Sequence, residues 1–329
     1  MSTARPPDRP LHRSPQADES ISATEPGATD EVLVPREVLQ SLMARADGPA
    51  IRRLCGHVLA LVASGVLVWA ASGSWLVWPA MFLMGVVWVH LFALQHECAH
   101  GTAFRTHRAN GIVAWVCGAL IMVPELHFKY EHTDHHTNTN LLGRDSQLIP
   151  MPGTYLEYLC YLTGLPYWWS NAIGLLRRAA GRLAAEEIRF IRGSARGKVV
   201  LESRVLAAGY ACATVAIAAG WQPLLTYWVI PLLLGQPVMR FIRMTEHVGC
   251  AHVPDPTRNT RSTRVAWPWQ FLAWNMNFHG EHHLAPRVPF HSLPRLSQLV
   301  AGRIALRDGY WGAHREILGR LRTERGRVA

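Results

Sequence analysis

The sequence predicts an all-α fold: an integral membrane bundle of four transmembrane helices with a cytoplasmic helical cap. Three observations predict it: apolar runs of spanning length, positive charge confined to the segments between them, and histidines gathered at their ends. The 329 residues are 49% hydrophobic, enough for one sizeable domain. The net charge is +10, but the basic residues sit beside hydrophobic runs and form no stripe with stacking aromatics, which argues for membrane topology and against nucleic acid.

Residues 1–34 are rich in Pro, Ser, Thr, Ala and charge with almost no aliphatics, so they are expected to be a disordered tail without a secretory signal. Residues 35–50 begin Pro-Arg-Glu-Val-Leu-Gln-Ser-Leu-Met and predict a short amphipathic helix on the membrane surface, Pro35 lying near its start. The main domain is expected over 51–315, followed by a basic tail over 316–329.

A helix needs about 20 apolar residues to cross a bilayer. Four runs approach that length: 54–71, 75–95, 205–221 and 224–239. A fifth, 112–124, is too short and predicts a re-entrant or buried helix. Residues 155–176 are rich in aromatics but hold Glu157 and Pro166, and so predict an interfacial segment.

The connections at 71–74 and 222–223 carry no charge, whereas Arg52, Arg53, Arg105, Arg108, Arg177, Arg178, Arg240 and Arg243 lie at the other ends of the runs. The positive-inside rule then puts both termini and the long middle loop in the cytoplasm of a multi-pass protein, expected in a bacterial inner membrane. The six cysteines form no Cys-x-x-Cys pair, which excludes a zinc ribbon or a dithiol motif.

The chemistry is carried by three groups among seventeen histidines: His96-Glu97-Cys98-Ala99-His100, His132-Thr133-Asp134-His135-His136 and His279-Gly280-Glu281-His282-His283. On a helix, residues four apart share a face, and the third and fourth positions after a histidine fall on either side of its axial line. Three imidazoles of one group can thus reach one volume while serving different ions. Imidazole suits Fe, Cu, Zn and Ni. Eight histidines are too many for one zinc, which takes three or four protein ligands, and suit two metals. A membrane metal transporter or zinc hydrolase is the alternative of a different class, but a transporter would place its ligands near the midplane of its spans, not at their ends.

The order His-x-x-x-His, His-x-x-His-His, His-x-x-His-His, with a pair of spans before and a pair between, resembles the membrane fatty-acid desaturase and hydroxylase superfamily. The segments His-Glu-x-x-His-Gly-x-x-Phe from His96 and Asn277-Phe278-His279-Gly280-Glu281-His282-His283 are similar too, and the likeness covers roughly residues 50–315. The resemblance implies a non-haem di-iron centre held by His96, His100, His132, His135, His136, His279, His282 and His283. It also implies a further ligand near the end of the fourth span, for which His247 stands as the candidate. Metal-bound imidazoles need partners for their second nitrogen, and Glu97, Asp134, Glu246 and Glu281 are placed to serve. His127 is a minor ligand candidate, and His90, inside the second span, is expected to line a tunnel or bond its own helix.

The implied activity is O2-dependent desaturation of an acyl chain or other lipid-like substrate. Hydroxylation or ketolation of a lipid or carotenoid, and desaturation of a small specialised metabolite, are alternatives that no residue here separates. No flavin, nicotinamide or haem motif occurs, so electrons are expected from a separate ferredoxin, rubredoxin or cytochrome.

Overall fold

The computed structural model describes residues 33–328, and the expected disordered tail lies almost wholly outside them. Four helical stretches are long and apolar enough to cross a membrane: Asp47–Ala70, Val77–Ala99, Gly193–Ala218 and Gln222–His247. They coincide with the four expected runs, but each is longer, chiefly where charged or polar residues continue a helix that hydropathy alone would end. The fourth span runs on through Arg240, Arg243 and Glu246 to His247, and this extension carries a histidine to the second and third boxes.

The second and fourth spans form the centre of the bundle. The first and third expose apolar side chains such as Leu59, Val62, Trp69 and Val215, as helices facing lipid do. The fourth span opens with a π turn, Leu225–Val229. Two indoles clamp this region: Trp88 Nε1 donates to Tyr227 O at 2.9 Å, and Trp228 Nε1 to Leu120 O at 2.7 Å.

The short apolar run is a helix, His107–Ile121, capped by Thr106, whose hydroxyl accepts from Ala109 N. Met122, at φ 61, ends it, and the chain bends by 101° into Glu125–Asn138, the helix of the second histidine box. Glu202, in the third span, accepts from Leu126 N at 2.9 Å and so fixes the start of that box helix. The aromatic segment is two helices, Tyr155–Leu162 and Leu165–Ala179, broken at Gly164 (φ 72). Of residues 35–50, expected as one short amphipathic helix, Arg36–Leu42 are helical and 47–50 open the first span.

Two features depart from the sequence reading. Ser262–Arg264 and Leu306–Asp308 pair as a small parallel sheet inside an otherwise helical fold. Residues 316–328, expected as a basic tail, continue the helix Gly309–Val328, and Ile317 and Leu321 are buried against Tyr158, Met244 and Val248. Charge content hid this apolar stripe, which recurs at helical spacing.

His314 pins this last helix to the fourth span. Its Nε2 donates to Phe241 O at 2.8 Å and its Nδ1 lies 3.0 Å from Tyr158 Oη, so one neutral tautomer satisfies both. Burial pushes its pKa down to about 4, against a hydrogen bond to Phe241 that raises it. The neutral ring therefore stabilises the fold fully above the unfolded value near 6.5, and the contribution is lost as pH falls toward 4. In thermal melts, the stability gap between wild type and His314→Phe is expected to narrow over that window; a gap independent of pH would contradict it.

Candidate metal centre

The nine candidate ligands come together in two groups. His96, His100, His132, His136 and His282 form one; His135, His247, His279 and His283 form the other. Within each group one ring nitrogen per residue lies within 4.8 Å of all the others. His247 stands among the box histidines, 2.8 Å from His279 through facing Nε2 atoms.

Helix geometry produces the division. At about 100° per residue, i+4 lies about 40° from i, and i+3 about 60° to the other side. His96 and His100 share a group, as do His132 and His136, and as do His279 and His283. The i+3 members, His135 and His282, each cross to the other group.

The hydrogen bonds fix which nitrogen bears the proton. His135 Nδ1 faces Asp145 Oδ1 at 2.8 Å, and His247 Nδ1 faces the Asn259 carbonyl at 3.0 Å. Neither partner can donate, so each N–H is on Nδ1 and each Nε2 carries a bare lone pair. His132 Nδ1 meets Gln147 Oε1 at 3.0 Å, with that amide oriented by its Nε2 donating to Glu131. His283 Nδ1 meets the hydroxyl of Thr139, which donates to His135 O.

The lone pair on His132 Nε2 then faces three further imidazole nitrogens. His132 Nε2 lies 3.1, 3.0 and 3.1 Å from the Nε2 atoms of His96, His100 and His136. One lone pair cannot satisfy three neighbouring nitrogens at such distances, whereas a single cation between them would use them all. His135 Nε2 is buried with no hydrogen-bond partner among the described residues. The donor set therefore fits one metal ion per group, and the distal nitrogens of His132, His135, His247 and His283 are already anchored.

Electrostatics agree. Burial, followed by the neighbouring imidazoles, holds His279, His282 and His283 well below the usual histidine pKa, so their rings are neutral at neutral pH. For Asp145, burial alone would raise the pKa, but the His135 hydrogen bond and charge, with the N–H groups of Gln147 and Asn140, hold it below the ordinary carboxyl value.

Asp145 also accepts from Gln147 N at 2.8 Å and Asn140 N at 2.7 Å, so it shapes the turn after the second box as well as orienting His135. Asp145→Asn keeps an acceptor but removes the charge. Metal retention against a chelator is expected to fall about 10–100-fold. Unchanged retention would remove Asp145 from the supporting shell.

The carboxylates expected to back the histidines do other work. Among the described residues none hydrogen-bonds a box imidazole. Glu97 accepts from Phe290 N at 3.0 Å, tying the first box to the segment after the third. Asp134 pairs with Arg189, and Glu281 with Ser262. Glu246 pairs with Arg243 and approaches His279 Nε2 only to 3.8 Å. His127, the minor ligand candidate, pairs with Glu187 outside both groups. The partners that serve instead are Asp145, Gln147, Thr139 and the Asn259 carbonyl. They lie in turns or at helix ends, where no periodicity marks them.

Residues 73–314 match the family model described as fatty acid desaturase. The chain belongs to the fatty acid desaturase family. It is 24% identical over 254 residues to the Delta(5) fatty acid desaturase of Caenorhabditis elegans, spanning 68% of this chain and only 56% of that protein. It is 23% identical over 301 residues to the sn-1 acyl-lipid omega-3 desaturase (ferredoxin) of Synechocystis sp., spanning 80% of this chain and 79% of that one. With the endoplasmic reticulum omega-3 fatty acid desaturase of Vigna radiata it shares 22% over 274 residues, or 72% and 67% of the two chains. The names of these relatives specify Delta(5) and omega-3 desaturation, so membership leaves the substrate open.

Proposed function

We propose that this desaturase-family chain is an O2-dependent, membrane-embedded oxidoreductase that removes hydrogen from an acyl chain or other lipid-like substrate at two non-haem irons. The nine histidines hold them: His96, His100, His132, His136 and His282 one ion, His135, His247, His279 and His283 the other. One observation carries the reading. A narrow pocket is lined at once by His96, from the first group, and His279, from the second. It therefore meets the centre at the seam between the two groups.

The cavity walls include Phe92, Ala93, Met239, Ile242, Ala273 and Met276, an apolar surface that aligns a hydrocarbon segment and excludes water. When bound, a di-iron centre supplies the oxidising power needed to break an unactivated C–H bond. The protein's part is to hold the imidazoles neutral and aimed, through Asp145, Gln147, Thr139 and Asn259, and to keep the reacting segment beside His96 and His279. Hydroxylation or ketolation would use the same arrangement. The ligands gather at the ends of the second and fourth spans, which favours an oxidoreductase over a transporter.

Electrons come, in this reading, from a separate acidic carrier of the ferredoxin, rubredoxin or cytochrome type. A cleft lined by Lys129, Tyr130, Thr133, Asp134, Thr137 and Arg192 runs along the second-box helix, and Asp134 there is already paired with Arg189. Its cations suit an acidic partner. The charge distribution supports a multi-pass orientation with both termini cytoplasmic.

The test is metal analysis and oxygen uptake of the purified chain with reduced ferredoxin, alongside mass spectrometry of lipids from a desaturase-deficient host expressing it. Iron in both groups with donor-dependent O2 consumption is expected. Zinc as the bound metal, or product formation without O2, would sink the proposal.

A further inference from the structure

At the foot of the first span, beside the turn that leads into the third box, lies a pocket whose polar lining is Arg52, Arg53, Asn275 and His291. No carboxylate lines it, and among the described residues neither arginine has an ion-pair partner. The one acid of that helix, Asp47, accepts instead from Arg105 N at 2.9 Å. Arg53 is half-buried. Its Nη1 donates to the Gln270 and Phe271 carbonyls at 3.1 and 2.7 Å, and its Nη2 to Asn275 Oδ1 at 3.3 Å. The guanidinium also lies over the rings of Phe271 and Phe290. These bonds use three of its five N–H groups and neutralise none of its charge.

His291 points independently to a missing partner. Its Nε2 is buried and makes no hydrogen bond among the described residues. Its Nδ1 lies 3.2 Å from Ser292 Oγ, and when that hydroxyl donates to Nδ1 the proton sits on Nε2. Asn275 Oδ1, the one side-chain acceptor in the lining apart from the imidazole, is already taken by Arg53 and by Gln270 Nε2 at 3.1 Å. What remains is one free guanidinium, two spare N–H groups of a second and an imidazole. Two unneutralised cations beside such donors select an anion, and the planar fork of arginine suits phosphate oxygens.

The first span indicates the source of that anion. Cys55, Leu59, Val62 and Val66 follow Arg52 three, seven, ten and fourteen residues on, and all four are exposed, so an apolar stripe ends at this guanidinium. An acyl chain lying on the stripe brings its phosphate to Arg52, at the level where basic residues meet headgroups. A choline or ethanolamine ammonium finds no carboxylate here, and the Phe271 and Phe290 rings already carry Arg53. We infer that this pocket binds a net-anionic membrane phospholipid, its phosphate held by Arg52, Arg53 and His291 and an acyl chain laid along the stripe from Cys55 to Val66. The lipid is a bound component of the fold and not the molecule oxidised at the histidines. Because Arg53 also grips Gln270, Phe271 and Asn275, occupancy braces the turn that precedes His279.

The test titrates the full chain in neutral detergent with dioleoyl phosphatidylglycerol, dioleoyl phosphatidylcholine or inorganic phosphate, and reads thermal stabilisation against probe concentration. Wild type is expected to bind phosphatidylglycerol about tenfold or more tightly than phosphatidylcholine, since each basic residue near an anionic lipid contributes roughly fivefold. Arg52 is exposed, so its replacement leaves the fold intact. Arg52→Gln and, independently, His291→Phe should each shrink the preference, the first about fivefold. Arg108→Gln, which removes an exposed charge from the helix His107–Ile121, should leave it unchanged. Equal binding of the two lipids by wild type would overturn the inference. So would a preference that survives both substitutions, or one that Arg108→Gln reduces as much as Arg52→Gln does. Stabilisation by inorganic phosphate at the concentrations where phosphatidylglycerol acts would mark a site for a free anion and overturn the assignment to lipid.

Discussion

Replacing His247 with alanine is expected to empty the four-histidine group while the five-histidine group keeps its metal. The loss leaves His135, His279 and His283 as donors, two of them already crowded through Nε2 atoms 3.1 Å apart. Activity should fall by more than the roughly 100-fold typical of losing an outer partner. His100→Ala makes the contrast, since it leaves four imidazoles in its group, so that metal should be retained more fully than in His247→Ala. Iron per chain in the two variants, measured beside wild type, checks this directly. Full iron and full turnover in His247→Ala would show that the fourth span supplies no ligand.

That prediction depends on a partition only half legible in the sequence. The spacings announce that the third and fourth positions after His132 and His279 diverge around the helix. They do not say that His282 joins the first box while His135 joins His247, because that depends on how three helices cross. The four spans were readable because lipid-facing side chains leave a continuous apolar record. The extension of the fourth span to His247 was not, since Arg243 and Glu246 neutralise each other inside the protein and hydropathy registers only their charge.

The supporting shell was misplaced for a related reason. Carboxylates inside the boxes, such as Asp134 and Glu281, sit between histidines and so point elsewhere, to Arg189 and Ser262. Asp145 arrives ten residues after His135 by way of a turn that begins at Asn140, where φ is 57. Turn residues carry no period from which such a contact can be counted. The strand pair at Ser262–Arg264 has three residues per strand, too few for alternation to register.

Among substitutions remote from the histidines, Gly85→Leu is expected to do the most damage. Gly85 in the second span meets the fourth span at Pro231 and Gly235: a Cβ there would run into the Pro231 carbonyl oxygen and lie 2.9 Å from Gly235 N. A Cβ on Gly235 would strike the Gly85 backbone in turn. Without a hydrophobic drive between helices in lipid, such small-residue crossings supply close packing that larger residues forbid. The consequence reaches the metals. Counting from this crossing, His96 and His247 lie about 16 and 18 Å along their helices at 1.5 Å per residue, so a crossing forced open displaces ligands of both groups. Gly85→Ala should cost about 1–3 kcal/mol, the usual penalty of overpacking, and Gly85→Leu should prevent recovery of iron-loaded protein. Gly209→Ala in the third span is the control, because a Cβ there meets nothing within 4 Å; relieving a mid-helix glycine should leave stability unchanged or raised by about 0.5–1 kcal/mol. Were Gly85→Ala as benign as Gly209→Ala, in melting temperature and iron content alike, the crossing would not be what sets the distance between the two metal-bearing spans.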